Sequence, residues 1–76
     1  MNESFFEIDA RNKACPAPLL MLKKALKQQA DQQFFLLKST DQNSIQDIQQ
    51  FCDVQGLQLQ AIQHLTDEIH FSIQRH

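Results

Sequence analysis

Both prolines of the chain fall within three positions, Pro16 and Pro18, directly after Cys15. Proline fixes φ and lacks an N–H, and a helix accepts it in the first turn, where those N–H groups have no intrahelical partner. The segment Cys15-Pro16-Ala17-Pro18 therefore predicts a helix start, and Leu19, Leu22 and Leu26 continue it at helical spacing to about Gln29. What surrounds this helix follows from periodicity. Residues 4–9 predict a first strand, with Phe6 and Ile8 on one face, and a short loop from Ala10 to Ala14 joins it to Cys15.

Gln33 to Ser39 predicts a second strand that is apolar on both faces through Phe34, Phe35, Leu36 and Leu37, as a central strand is. Thr40-Asp41-Gln42-Asn43 is turn chemistry. Ser44, with Asp47 three residues on, resembles a capping box for a second helix whose inner side carries Ile45, Ile48, Phe51 and Cys52. Gly56, the single glycine, stands where that helix needs a left-handed residue to end. Leu57, Leu59 and Ala61 alternate with Gln58 and Gln60, and Ile69, Phe71 and Ile73 alternate with His70, Ser72 and Gln74. These are two closing strands joined by a hairpin near residues 64–67, without a tight-turn glycine.

The order βαβαββ, with a right-handed crossover making the first two strands parallel, predicts an α/β (α+β) two-layer sandwich. A mixed four-stranded sheet would carry two helices on one face, and the other face would be partly open, with Phe35 and Leu37 on it. One domain spans residues 1–76, with a modest core and little to spare. With 42% hydrophobic residues and six Phe, the chain is a globular fold rather than a disordered tail. Residues 1–4 are polar and acidic, unlike a secretory signal, and no apolar run reaches the roughly 20 residues that span a bilayer. The expected location is cytoplasmic, where thiols stay reduced, so two cysteines do not argue for a disulfide.

The net charge of −2 is unevenly spread. Residues 11–38 carry a local +5 through Arg11, Lys13, Lys23, Lys24, Lys27 and Lys38 against Asp31, while both flanking segments are acidic. Such a run is either a solvated helix face or a docking surface for an acidic partner or RNA phosphates. The aromatic residues stand at core spacing, not interleaved with the cations, which argues against direct nucleic-acid binding.

Cys52 shares a helical face with Ile45 and Ile48 and reads as a small buried hydrophobe. Cys15 is different. It precedes a helix, where unpaired N–H groups and the macrodipole favour an anion. Arg11 and Lys13 lie just upstream, and nearby positive charge favours thiolate over thiol. Pro16 and Pro18 stiffen the mount. Cysteine pKa values at such sites fall to about 3.5–7.5. No second Cys stands three residues away for a dithiol cycle, and His64, His70 and His76 lie in the C-terminal third, read as surface residues. No metal-ligand spacing and no glycine-rich phosphate loop is present in the sequence, and nothing in it calls for a cofactor. A lone activated cysteine suits the acceptance of sulfur from one protein and its delivery to another, each step a thiolate attacking sulfur. The competing reading is a non-catalytic protein-interaction module, in which Cys15 is packing and the basic helix or the open sheet face binds a protein.

The run Asp9-x-Arg11-x-x-x-Cys15-Pro16-x-Pro18-Leu19 resembles the opening motif of the TusA-type, or SirA-like, sulfur-carrier family. The resemblance continues through Thr40-Asp41-x-x-Ser44-x-x-Asp47-Ile48-x-x-Phe51-Cys52 and Gly56 to Phe71-Ser72-Ile73. Asn12 replaces the family's usual glycine, and asparagine is the next best residue for a left-handed turn. The resemblance implies a βαβαββ fold and a persulfide on Cys15, making the chain a sulfurtransferase-type carrier if an enzyme at all. It implies a cysteine desulfurase or other sulfur donor and a downstream sulfur-acceptor protein, with tRNA thiolation among the possible destinations. Asp9, Arg11, Lys13, Pro16 and Pro18 would support Cys15. Lys23, Lys24 and Lys27 would meet partners, and the carrier would be a monomer or weak homodimer.

Overall fold

The computed structural model describes residues 4–14 and 16–75, so Cys15 and His76 lie outside the described residues. The strands are β1 (Phe5–Ala10), β2 (Phe34–Ser39), β3 (Gln58–His64) and β4 (Ile69–Gln74), and the helices are α1 (Ala17–Gln28) and α2 (Ser44–Gln55). The order is βαβαββ, and the sheet runs β1-β2-β4-β3, with β1 and β2 parallel and the other pairs antiparallel. This is the α+β sandwich with a mixed four-stranded sheet that the sequence predicts.

One face of the sheet holds the core. Ile8 and Ala10 of β1, Phe35 and Leu37 of β2, and Ile69, Phe71 and Ile73 of β4 form one buried cluster with Leu22 and Ala25 of α1 and Ile48 and Cys52 of α2. Both helices therefore cover the same face. Phe35 and Leu37, expected on the open face, are fully buried beneath the helices. The open face instead shows Phe34, Leu36 and Lys38 from β2, with Phe5 and Glu7 from β1. Phe5 and Phe34 meet there at 5.3 Å between ring centroids, and Lys38 Nζ reaches Glu7 Oε2 at 2.8 Å. Fully burying each large apolar side chain contributes about 1.5–3 kcal/mol, so the inward set governs the strand's orientation.

The edge strand β3 also departs from expectation. Its register with β4 passes from Leu59 opposite Ile73 to Ala61 opposite Ser72, leaving Gln60 as an extra residue. This bulge reverses the phase, so Ala61 is exposed and Ile62, opposite Phe71, takes the inward position. At the far end of the sheet, Arg75 donates from Nη2 to the carbonyls of Leu26 and Gln29 at 2.9 and 3.0 Å. A cation there complements the C-terminal end of α1.

The start of α2 differs from a capping box. Asn43 is its cap residue, with no side-chain cap hydrogen bond, and Ser44 is already helical and buried. Ser44 Oγ instead contacts Ser39 Oγ at 3.1 Å and donates to the Asp41 carbonyl at 2.6 Å, tying the helix to the end of β2. At the other end, Gly56 has φ +72°, the Leu57 N–H donates to the Cys52 carbonyl at 2.9 Å and the Gly56 N–H to the Asp53 carbonyl at 3.4 Å. This paired arrangement satisfies carbonyls that the helix end leaves open.

A Cβ added at Gly56 meets nothing within 4 Å, so the cost of Gly56→Ala is conformational alone. The substitution is expected to lower unfolding free energy by about 1 kcal/mol, as a left-handed L-residue does. Urea denaturation checks this, and an unchanged midpoint would contradict it.

Candidate functional site

The parallel strands β1 and β2 end together at the pair Ala10 and Ser39, and β4 begins opposite Ser39 at Ile69. Three chain segments consequently meet at one end of the sheet: residues 11–14 leading to Cys15, Thr40 after β2, and the hairpin loop before β4. The carboxyl ends of parallel strands are a recurrent location for sites in α/β folds. An open cleft of about 450 Å³ lies here, lined by Asp9, Arg11, Asn12, Lys13, Thr40, Asp67 and Glu68.

The loop that precedes Cys15 is held through three consecutive backbone N–H groups. That of Arg11 donates to Asp9 Oδ1 at 3.2 Å, that of Asn12 to Thr40 Oγ1 at 2.9 Å, and that of Lys13 to the Ala10 carbonyl at 3.3 Å. These three donors are therefore occupied within the chain. Asn12 has φ +64°, the left-handed turn expected of it in place of glycine.

Arg11 makes the densest set of contacts. Its Nε and Nη2 donate to the two carboxylate oxygens of Asp9, each at 2.9 Å, a two-pronged pair. Its Nη1 donates to Glu68 Oε2 at 3.2 Å, and Glu68 Oε1 lies 2.8 Å from His70 Nε2. The Arg11 side-chain hydrogen bonds hold the Asp9 carboxyl well below the usual carboxylate range and, with Glu68, raise Arg11's own affinity for its proton. Glu68 is lowered too, by its hydrogen bond with His70 first and that from Arg11 second. The Arg11 charge is thus balanced within the cluster. Lys13 stands exposed on the cleft rim.

Beyond position 15, Pro16 is exposed and Pro18 is buried against the core in the first turn of α1. The Ala17 N–H donates to the Ala14 carbonyl at 2.9 Å and the Leu20 N–H to that of Pro16 at 3.1 Å, so the chain turns directly from loop into helix. Lys23, Lys24 and Lys27 lie away from the cleft on the exposed side of α1, together with Leu20, which is 56% exposed. Lys23 Nζ sits 5.5 Å from the centroid of the Phe51 ring on α2.

Cys52 is buried, and burial pushes its thiol up to about 11, so it stays protonated near neutral pH. His64 is exposed as expected, but His70 is not a surface bystander: its side chain is 18% exposed and bound to Glu68. Sequence reasoning did not single out Glu68, read His70 as a surface residue, and quoted Thr40 as a turn and motif residue without its contact to the Asn12 N–H. Glu68 lies 57 residues from Arg11, and only strand order, not local pattern, brings them together.

Because folded Asp9 and Glu68 hold their protons less tightly than unfolded carboxyls, their contribution to stability is complete above the ordinary carboxylate range. It is lost as pH falls below that range. Acid unfolding of the wild type is expected to be steeper below about pH 4 than that of Arg11→Met. Equal acid sensitivity in a pH series of thermal melts would contradict this. A family model described as sulfurtransferase TusA matches the chain over residues 6–75.

Proposed function

The chain belongs to the sulfurtransferase TusA family, whose members relay sulfur with partner proteins, and we propose that it carries sulfur as a persulfide on Cys15. The observation that carries this reading is the braced approach to position 15: the Arg11–Asp9–Glu68 cluster and the Asn12–Thr40 contact fix residues 11–13, and α1 begins at Ala17. Along the chain, position 15 falls between these hydrogen-bonded residues and the start of α1, and negative charge is favoured near a helix N-terminus.

In the loading step the Cys15 thiolate attacks the outer sulfur of a donor's persulfide. The donor's S–S bond breaks, a new S–S bond forms at Cys15, and the donor leaves as a thiolate. Delivery repeats the exchange with an acceptor thiolate, and neither step requires an external oxidant or reductant. Lys13, two residues before Cys15 in the chain and exposed on the cleft rim, brings positive charge to this segment. Arg11 acts chiefly by shaping the loop, since its own charge is balanced by two carboxylates. Asp9 holds Arg11, and Pro16 and Pro18 limit the motion of the turn.

Leu20, Lys23, Lys24 and Lys27 recur at helical spacing as one exposed stripe of α1, a short apolar contact with three cations beside it. This stripe meets acidic surfaces of the donor and acceptor proteins. A cysteine desulfurase is the donor in this reading, and delivery toward tRNA thiolation is one destination, reached through an acceptor protein.

Intact-protein mass spectrometry without reductant, after incubation with a cysteine desulfurase and cysteine, tests the proposal. Wild type and Cys52→Ser are expected to gain one reducible sulfur atom, and Cys15→Ser none. Equal gain by Cys15→Ser would contradict it.

A further inference from the structure

The sheet is open, and its edge strands are β1 and β3. An edge strand turns alternate N–H and C=O groups away from its one neighbour, where another chain can pair with them. β3 is interrupted by the bulge at Gln60, which breaks the even row that an added strand needs. β1 has no such break. Its residues Phe5–Ala10 pair one by one with Phe34–Ser39. Among the described residues, the backbone of 5–9 makes no hydrogen bond outside this pairing.

β1 also has a wall beside it. A groove of about 330 Å³ lies between the strand and α1, with Phe6 and Ile8 on the strand side and Met21, Lys24, Ala25 and Gln28 on the helix side. Glu7 and Asp9, which belong to the opposite face of β1, border it as well, so the groove follows the strand's edge. Its floor is apolar. Lys24 on its rim is exposed and makes no ion pair among the described residues. The two carboxylates already have their cations, Lys38 at 2.8 Å from Glu7 and Arg11 at 2.9 Å from Asp9.

A strand laid along this edge sets alternate side chains into the groove and the others beside Glu7 and Asp9. The groove side matches apolar groups and, at Lys24, one carboxylate. The other side has no cation to offer a further carboxylate. A second copy of the chain therefore fits poorly. Antiparallel self-pairing centred on Glu7 or Ile8 sets Glu7 opposite Glu7 or Asp9 of the copy, and like charges directly opposite are destabilising.

We propose that the β1 edge and its groove accept an extended segment of another protein as an added strand, with apolar side chains and a carboxylate on its groove face and uncharged side chains on the other. Asp9 borders both this groove and the cleft at the end of β1, so such a segment reaches the loop of residues 11–14 and leaves Leu20, Lys23 and Lys27 free. Strand addition involves no sulfur step, so it and the persulfide on Cys15 stand or fall separately.

The test is a titration of the isotope-labelled chain, followed by amide NMR. The probe is a terminally blocked heptapeptide that alternates threonine with valine and carries one glutamate in place of a valine. A second peptide carries lysine in place of that glutamate. Millimolar glutamate peptide is expected to shift the amides of β1 together with those of Met21 and Lys24, leaving β3 unmoved. Lys24→Glu, a change at an exposed site, is expected to weaken the glutamate peptide roughly fivefold and to strengthen the lysine peptide by a similar factor, the scale of one surface ion pair. No shift along β1, shifts centred on β3, or equal affinities of both peptides for both proteins would overturn the proposal. So would a concentration-dependent dimer whose hydrogen-exchange protection falls on β1, since that assigns the edge to a second copy.

Discussion

Much of the molecule follows from the way β2 is trapped. It pairs on one side with β1 and on the other with β4, and its Phe35 and Leu37 lie fully buried under both helices. That burial fixes which face of the strand is inward, and its pairing fixes where the strand stops relative to its neighbours. Ser39 ends level with Ala10, which ends β1, and with Ile69, which starts β4. The cleft exists because of this levelling. Thr40 emerges beside Asn12, Ser39 meets Ser44 at the head of α2, and Glu68 arrives within reach of Arg11. A slip of one residue in either pairing would turn the strand's inward set outward and separate all three contacts.

Cys52 illustrates how position decides chemistry. Cys52 is enclosed between α2 and the sheet, where an ionised sulfur would lose its solvation, and its thiol is pushed up to about 11. On either side of position 15 in the chain, Ala14 and Pro16 are both exposed, and α1 begins at Ala17. In the proposed relay only Cys15 exchanges sulfur, and a protonated, buried Cys52 stays out of that exchange.

The strongly patterned elements were legible in the sequence. Ile69-Phe71-Ile73 alternates cleanly, the two prolines mark the head of α1, and Gly56 marks the end of α2. Cys15 stood out for the same local reasons. What was not legible depends on comparison between distant segments. In β2 both faces are apolar, so alternation cannot say whether Phe34 and Leu36 or Phe35 and Leu37 turn inward; the helices decide it. In β3 the inserted Gln60 breaks the phase, and only pairing with β4 exposes the break. Ser44 resembled a cap by its spacing to Asp47, yet its hydroxyl serves the end of β2. Glu68 carried no local signal, because its partner Arg11 is brought to it by sheet topology.

A carrier must release what it accepts, and release is the most direct measure of that role. Protein loaded with labelled sulfur, separated from its donor and treated with cyanide, should give up the label as thiocyanate and recover a free Cys15 thiol in equal amount. Label that stays on the protein, or that leaves equally from Cys15→Ser, would contradict a sulfur-carrying Cys15.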